Sequence, residues 1–305
     1  MMTAIQDRDQ IDEIENRGES MVDVTIGPSL VERDAPRAVK DPFSPIKIIG
    51  PIVVFGLVMA FWYGARSLLA PYKRFVLPPP HHIFTKAFFA TTADGEHVIR
   101  KAIFKATWLD VKVAVIGLSI AIVLGVLTAV VMSMAKWLEI SFWPYLVALQ
   151  AIPILTVSPL IGAVMGYGQS PRILVTIIIT IFPILSNTLF GITGVDNGFH
   201  DLFSLHKASR WTRLTKLQLP AASPAIFAGF RISAGLAVIG AIVGDVFFRA
   251  GEAGLGLQVD VYNSRLNGPA TWACILMAAA LGLTFFAFFA VLERLVVGRW
   301  NTTKR

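Results

Sequence analysis

The chain is dominated by long apolar runs separated by short polar or charged segments. A helix that crosses about 30 Å of hydrocarbon needs about 20 mostly apolar residues. Six runs meet that requirement, at 48–66, 112–136, 140–167, 173–195, 224–247 and 271–292. Trp62 and Tyr63 close the first as an interfacial aromatic pair, and Lys112 and Lys136 bracket the second. The turn-like Gly166-Tyr167-Gly168-Gln169-Ser170-Pro171 separates the third from the fourth. The pattern predicts an all-α membrane protein with about six transmembrane helices.

Glycine and proline recur inside these runs, among them Gly117, Gly125, Pro153, Pro159, Gly162, Pro183, Gly229, Gly235, Gly240 and Gly244. Small residues let helices approach closely in lipid, and proline bends them where neighbours resatisfy the backbone. Gly240 and Gly244 form a GxxxG pair, read here as internal helix packing.

Composition supports the membrane assignment. Charged residues make up 15% of the chain and hydrophobic residues 55%; a soluble domain carries about 25% charged residues. The net charge of +7 does not point to nucleic acid, because Lys and Arg lie largely between apolar runs, where they bias topology. Lys207, Arg210, Arg213 and Lys216 in one loop, and Arg294, Arg299, Lys304 and Arg305 near the end, place both regions on the cytoplasmic side, giving an N-in, C-in chain. Lys73, Arg74, Lys86, Arg100, Lys101 and Lys105 oppose this, but they occupy a long segment where the rule weighs less. Residues 1–46, rich in Asp and Glu and poor in large apolar groups, read as a disordered cytoplasmic segment. Residues 47–298 form the membrane domain, with a loop at about 196–222, and 299–305 form a cytoplasmic tail.

Candidate chemistry is sparse. Cys274 is alone, so it makes no disulfide within the chain and reads as a small apolar filler. His81, His82, His97, His200 and His206 are scattered through loops without metal-ligand spacing, and no metal is assigned. The stretch from Gly251 to Gly256 lacks the Lys-Ser/Thr of a phosphate loop. Thr156, Ser158, Asn187 and Thr188 are polar groups inside apolar runs; each either lines a translocation path or bonds back to its own helix. Asp245 is the strongest path candidate, with an ion pair to Arg249 one turn on as the alternative. Arg231, about two turns into its run, is placed to snorkel to the interface.

The loop from Asp201 to Pro220 is the most informative segment. Leu202, Leu205, Trp211, Leu214 and Leu217 fall at roughly helical spacing, and Ser209 can cap a helix start. Two short helices follow, broken near 207–209, the second ended by Pro220. A helical hairpin lying on the membrane surface is the plain structural reading.

This loop resembles the coupling loop of the permeases of binding-protein-dependent ABC importers: Glu-Ala-Ala, three residues, Gly, nine residues, Ile, any residue, Leu-Pro. Leu219-Pro220 matches its end, Leu217 stands for Ile, and Asp201-Leu202-Phe203 stands for Glu-Ala-Ala. Lys207 stands where the pattern has Gly, a departure shared by Leu202 and Phe203. Leu77-Pro-Pro-Pro80, the stretch Pro153 to Leu160, Gly166-Tyr-Gly168, Phe182-Pro-Ile184, Asn187-Thr188, Gly229-Phe-Arg231 and Gly254-Leu-Gly256 are similar to segments of the nitrate, sulfonate and taurine branch.

The resemblance covers about residues 48–297 and implies an ABC importer type I permease fold. It implies a non-catalytic, multi-pass subunit of the bacterial inner (plasma) membrane, paired with a second permease chain. Separate ATPase subunits, which use the ATP, and a periplasmic solute-binding protein complete the assembly; this chain binds no cofactor. The implied coupling set is Asp201, Leu205, His206, Lys207, Ala208, Ser209, Arg210, Trp211, Leu219 and Pro220. The implied cargo is a sulfonate, taurine, nitrate or related small solute, with thiamine pyrimidine precursors as a neighbouring possibility. A secondary transporter driven by an ion gradient would show internal repeats and paired midplane charges, which the chain lacks, and an embedded enzyme would need clustered His or carboxylates.

Overall fold

A computed structural model describes residues 46–90 and 98–298. The expectations for 1–45 and for 299–305 lie outside the described residues. Every described regular element is helical. The long ones are α1 (Ile46–Leu68), α3 (Val98–Ser133), α4 (Lys136–Ala151), α5 (Ile154–Met165), α6 (Gln169–Thr193), α9 (Leu219–Phe247) and α11 (Gly268–Val297). The short ones are α2 (Pro80–Ile83), α7 (Asn197–Leu205), α8 (Arg210–Arg213) and α10 (Leu255–Ser264). Five stretches are long and apolar enough to span a membrane, and the bent pair α4 and α5 brings the number to six.

That bend corrects the third run. The sequence suggested one span over 140–167, yet α4 and α5 meet at 93°. Pro153 is the cause: it has no N–H, and its ring pushes Ile152 out of the helical region to ψ 121°. Two other starts move outward. The second helix begins at Val98 rather than near Lys112, because Arg100, Lys101, Lys105 and Asp110 continue the helix beyond its apolar stretch. The fifth begins well before residue 224, because the chain is helical without interruption over Arg210–Phe247.

The chain divides into two compact units at Met59. In the first, the described part is the start of α1, whose residues from Ile49 onward leave Ile52, Phe55 and Leu57 exposed. In the second, the core is the bundle of α3, α6 and α9, with α11 against it. Val113, Leu118 and Ala121 of α3, Ile184 of α6, Ala234, Ala237, Val238 and Ala241 of α9, and Leu281 of α11 close one buried cluster. Ile83, Ile103, Leu255, Tyr262, Ala273 and Cys274 form another, so Cys274 does serve as core filler. Broad faces of α3, α4 and α11 leave large apolar side chains exposed, as surfaces that meet lipid or other membrane helices do.

Glycine decides how tightly α6 is held. A Cβ at Gly117 of α3 would come within 2.6 Å of the Thr176 side chain, and one at Gly240 of α9 within 2.8 Å of the Thr176 backbone. Thr176 is therefore gripped from both sides, and a Cβ at Gly244 would lie 3.0 Å from the Arg172 backbone. The GxxxG pair thus packs inside one chain. Small interfaces of this kind substitute close van der Waals contact for the hydrophobic drive that lipid removes.

On this basis Gly240→Leu should overpack the α6–α9 seam and destabilise the chain by about 1–3 kcal/mol or more. Thermal unfolding of the detergent-purified protein measures it. Gly235→Ala, where an added Cβ meets nothing within 4 Å, should be neutral or stabilising.

Candidate functional site

Two polar constructions stand out at opposite ends of α9. The first gathers around Arg172, at the start of α6, and Asp245, near the end of α9. Their side chains are 1% and 0% exposed, and Arg172 Nη1 lies 2.7 Å from Asp245 Oδ1. Arg172 also donates through Nη2 and Nε to the Phe248 carbonyl at 2.8 and 3.2 Å, and to the carbonyls of Ala250 and Glu252 at 3.2 Å. Asp245 accepts from the backbone N–H of Gly254 at 2.9 Å and of Leu257 at 2.6 Å. Asp110 of α3 accepts from Leu255 N–H at 2.8 Å. One guanidinium and two carboxylates thus fold the α9–α10 connection against α3 and the ends of α6 and α9.

Glycine is required in that connection. A Cβ at Gly254 would collide with Asp110 Oδ1 and lie 2.9 Å from Asp245 Cγ. A buried ion pair is stabilising only when its remaining donors and acceptors are satisfied, and here nearly every one is. Outside this core, Lys105 pairs with Glu252 at 2.8 Å and pulls that carboxyl below its ordinary range. A carboxyl lowered on folding adds stability above its unfolded value, so this strap weakens as pH falls through the lowered one.

Several expected residues land differently. Asp245 pairs with Arg172 and not with Arg249, which instead meets Asp260 at 3.0 Å. Asp245 therefore has no free carboxylate oxygen to offer a passing solute. Arg231 pairs with Glu293 of α11 at 3.1 Å instead of snorkelling alone. Ser158 is buried and donates to the Ile154 carbonyl, and Asn187 donates to that of Pro183 at 2.8 Å. Thr188 is buried with no partner for its hydroxyl among the described residues, and Thr156 is exposed. Beside the α4–α5 break lies a cavity of about 370 Å³ lined by Gln150, Ile152, Phe182 and Pro183.

The second construction is the hairpin α7–α8. Asp196 caps α7 by accepting from Gly198 N–H at 2.7 Å. After Leu205 the chain turns through His206 and Lys207, the latter at φ 49°. Ala208 N–H donates to the Phe203 carbonyl at 3.0 Å and Lys207 N–H to that of Ser204 at 2.9 Å. This is the Schellman ending of a helix, whose left-handed residue is usually Gly. Lys207 holds the same conformation, so the substitution leaves the turn intact and costs about 1–2 kcal/mol of backbone strain.

Ser209 then caps α8, accepting from Thr212 N–H at 3.2 Å, and Arg213 donates back to Ser204 Oγ at 3.1 Å. The hairpin presents Leu205 and Trp211 at 81% and 67% exposure. Asp201, His206, Lys207, Ser209 and Arg210 are also exposed, and Ala208 is half-buried.

Leu219-Pro220 does not end the second helix, as the sequence suggested. Residues Leu214–Gln218 widen into a π-helical turn, in which Leu219 N–H donates to the Leu214 carbonyl. The wider turn admits the proline ring, and Pro220 stands at the second position of α9, its missing N–H falling beside the π turn within the continuous helical run.

The described residues thus form a bundle of long apolar helices with an exposed, capped hairpin that runs directly into a spanning helix. Residues 121–298 match the family described as binding-protein-dependent transport system inner membrane component, and the chain belongs to that family. It is 30% identical to the riboflavin transport system permease protein of Chloroflexus aurantiacus, over 84% of this chain and 91% of that one. It is 31% identical to the formylaminopyrimidine transport permease protein of Halalkalibacterium halodurans, over 81% and 94% respectively. It is also 28% identical to the nitrate import permease protein of Synechocystis sp., over 86% and 95%. The chain is an ABC importer permease, a multi-pass inner-membrane protein.

Arg172 and Asp110 are the residues that sequence reasoning passed over, since both fell just outside the apolar runs. The available signal was complementary charge at matching ends of separate helices.

Arg172→Leu should leave Asp245 buried and unpaired and lower stability by about 3–5 kcal/mol. The double change Arg172→Leu, Asp245→Leu should recover part of that loss in thermal unfolding. At the hairpin, Lys207→Gly should relieve about 1–2 kcal/mol of strain, while the β-branched Lys207→Val should be worse than the native residue. Protease protection of the loop reads out both.

Proposed function

We propose that this permease couples to separate ATP-hydrolysing subunits through the α7–α8 hairpin. The observation that carries the reading is the exposed Leu205 and Trp211 on a turn locked by caps at both sides and continuous with α9. Two apolar anchors ringed by Lys207, Arg210 and Arg213 suit a partner cleft with an acidic rim, because buried aromatic groups supply affinity and rim charges steer association. Asp201, His206, Ala208 and Ser209 shape the tip, while Leu219 and Pro220 join it to the span. ATP closes the partner and must favour one permease orientation over the other for anything to move.

Two copies of this chain pair in the membrane, and a periplasmic solute-binding protein delivers cargo to the face opposite the hairpin. Both termini lie in the cytoplasm. This chain binds no nucleotide or other cofactor of its own. The path follows the α5–α6 face, past Thr156, Asn187 and the cavity at the α4–α5 break, with Ser158, Thr188 and Asp245 supporting it from within the bundle. The cargo is a small solute of the sulfonate, taurine or nitrate kind, in line with the nitrate permease relative. The 31% identity to a formylaminopyrimidine permease favours a pyrimidine as the second reading.

Glu at both Ala208 and Ser209 should abolish co-purification of the ATPase subunits and ATP-driven uptake in vesicles. Retained co-purification and uptake would refute the docking assignment. Uptake assays with taurine, nitrate and formylaminopyrimidine, each delivered by the cognate binding protein, separate the two cargo readings.

A further inference from the structure

A cavity of about 390 Å³ lies under the hairpin, walled by Ser133, His200, Arg210, Trp211, Arg213 and Gln218. We propose that it holds the phosphate of an anionic lipid headgroup. The inference is independent of the cargo, shares Arg210, Trp211 and Arg213 with the proposed docking hairpin, and rests on what the cavity lacks and where it lies.

Its walls carry two guanidinium groups and no carboxylate. Neither Arg210 nor Arg213 is ion-paired among the described residues. Of the acids on the adjoining elements, Asp196 caps α7 and Glu139 pairs with Lys136 at 2.8 Å, while Asp201 beside His200 is exposed and does not line the cavity. Arg213 spends Nη2 on Ser204, and its Nε is buried with no acceptor. A buried charged donor without an acceptor is costly and uncommon. No acid among the described residues answers the charge of this guanidinium, and an anion in the cavity would answer it.

Position selects the kind of anion. Ser133 is the last residue of α3, and Arg210 opens the helical run that becomes α9, so the cavity sits where the apolar helices give way to polar chain. Met134 and Leu214 supply apolar wall beside the cations. Phosphate oxygens for the arginines, carbon for Met134 and Leu214, and an interfacial depth together describe a phospholipid. Basic cavities between helices at a membrane border take such headgroups. A volume near 400 Å³ has room for a glycerophosphate unit.

The test uses the full-length permease purified in detergent without ATPase subunits. Retention of phosphatidylglycerol against phosphatidylcholine is measured by native mass spectrometry, with inorganic phosphate as a competitor. The wild type should prefer phosphatidylglycerol, and Arg213→Gln should cut that preference about fivefold. If Arg213→Gln does not fold, Arg210→Gln at its exposed position should give the same direction of change.

Equal retention of the two lipids overturns the proposal. Complete displacement by inorganic phosphate also overturns it, by making the cavity a free-anion site. Loss of the bound lipid on adding the ATPase subunits does so too, by assigning the cavity to that interface. Because lipid retention is read without the ATPase, a failed docking assignment and a failed lipid assignment remain distinguishable.

Discussion

A guanidinium with almost no contact with solvent can exist inside an apolar bundle only if something answers both its charge and its donors. Arg172 is answered by Asp245 and by three carbonyls of the α9–α10 connection. Those carbonyls, and the amides that Asp245 and Asp110 accept from, belong to one short stretch of chain. The connection therefore has a single folded path, set by three side chains from three different helices. The opposite end of the bundle has no comparable buried ion pair among the described residues. It is held by small residues in close contact, as where a Cβ at Gly191 would come within 2.9 Å of Ala222 and Ala225. The bundle is thus pinned by charge at one end and by shape at the other.

Much of this was legible before any coordinates. Apolar run length is a strong signal because lipid tolerates few alternatives to a helix, so the spans were located by composition alone. The hairpin was legible as well, since Ser209, the leucines and Trp211 carry local, physical reasons for two short helices. What escaped was relational. Asp245 could be seen to need a partner, but one turn along its own helix offered Arg249, whereas the true partner is 73 positions away on α6. Run-finding rules also place span ends where the charge begins. That excluded Arg172 and Asp110, although polar residues continue both helices once neighbours satisfy them. Pro153 and Pro220 show the remaining difficulty: both are prolines in helical surroundings. One breaks the chain through 93° and the other is absorbed by a π turn, a difference set by the hydrogen bonds around them.

The same frame serves permeases named for riboflavin, formylaminopyrimidine and nitrate, at about 30% identity over most of each chain. That breadth fits the way polar residues are spent here. Among the buried polar side chains, Asp110, Arg172, Ser233 and Asp245 bridge separate elements, while Ser158, Thr176 and Thr180 bond back to their own helix.

The unbroken helical run of 38 residues from the hairpin to Phe247 sets how such a scaffold can move. At 1.5 Å per residue it is about 57 Å long, close to twice the hydrocarbon thickness. A rod of that length acts as a lever, and a tilt of about 10° around its middle swings each end sideways by about 5 Å. Its far end is clamped through Asp245 to α6 and to the α9–α10 connection, so these parts are tied to one another. On the proposed docking, force applied at the hairpin would be delivered as a joint displacement of α6, α9 and α10. The compliance has to come from elsewhere, and the Pro153 elbow between α4 and α5 is the sharply bent apolar pair among the described residues.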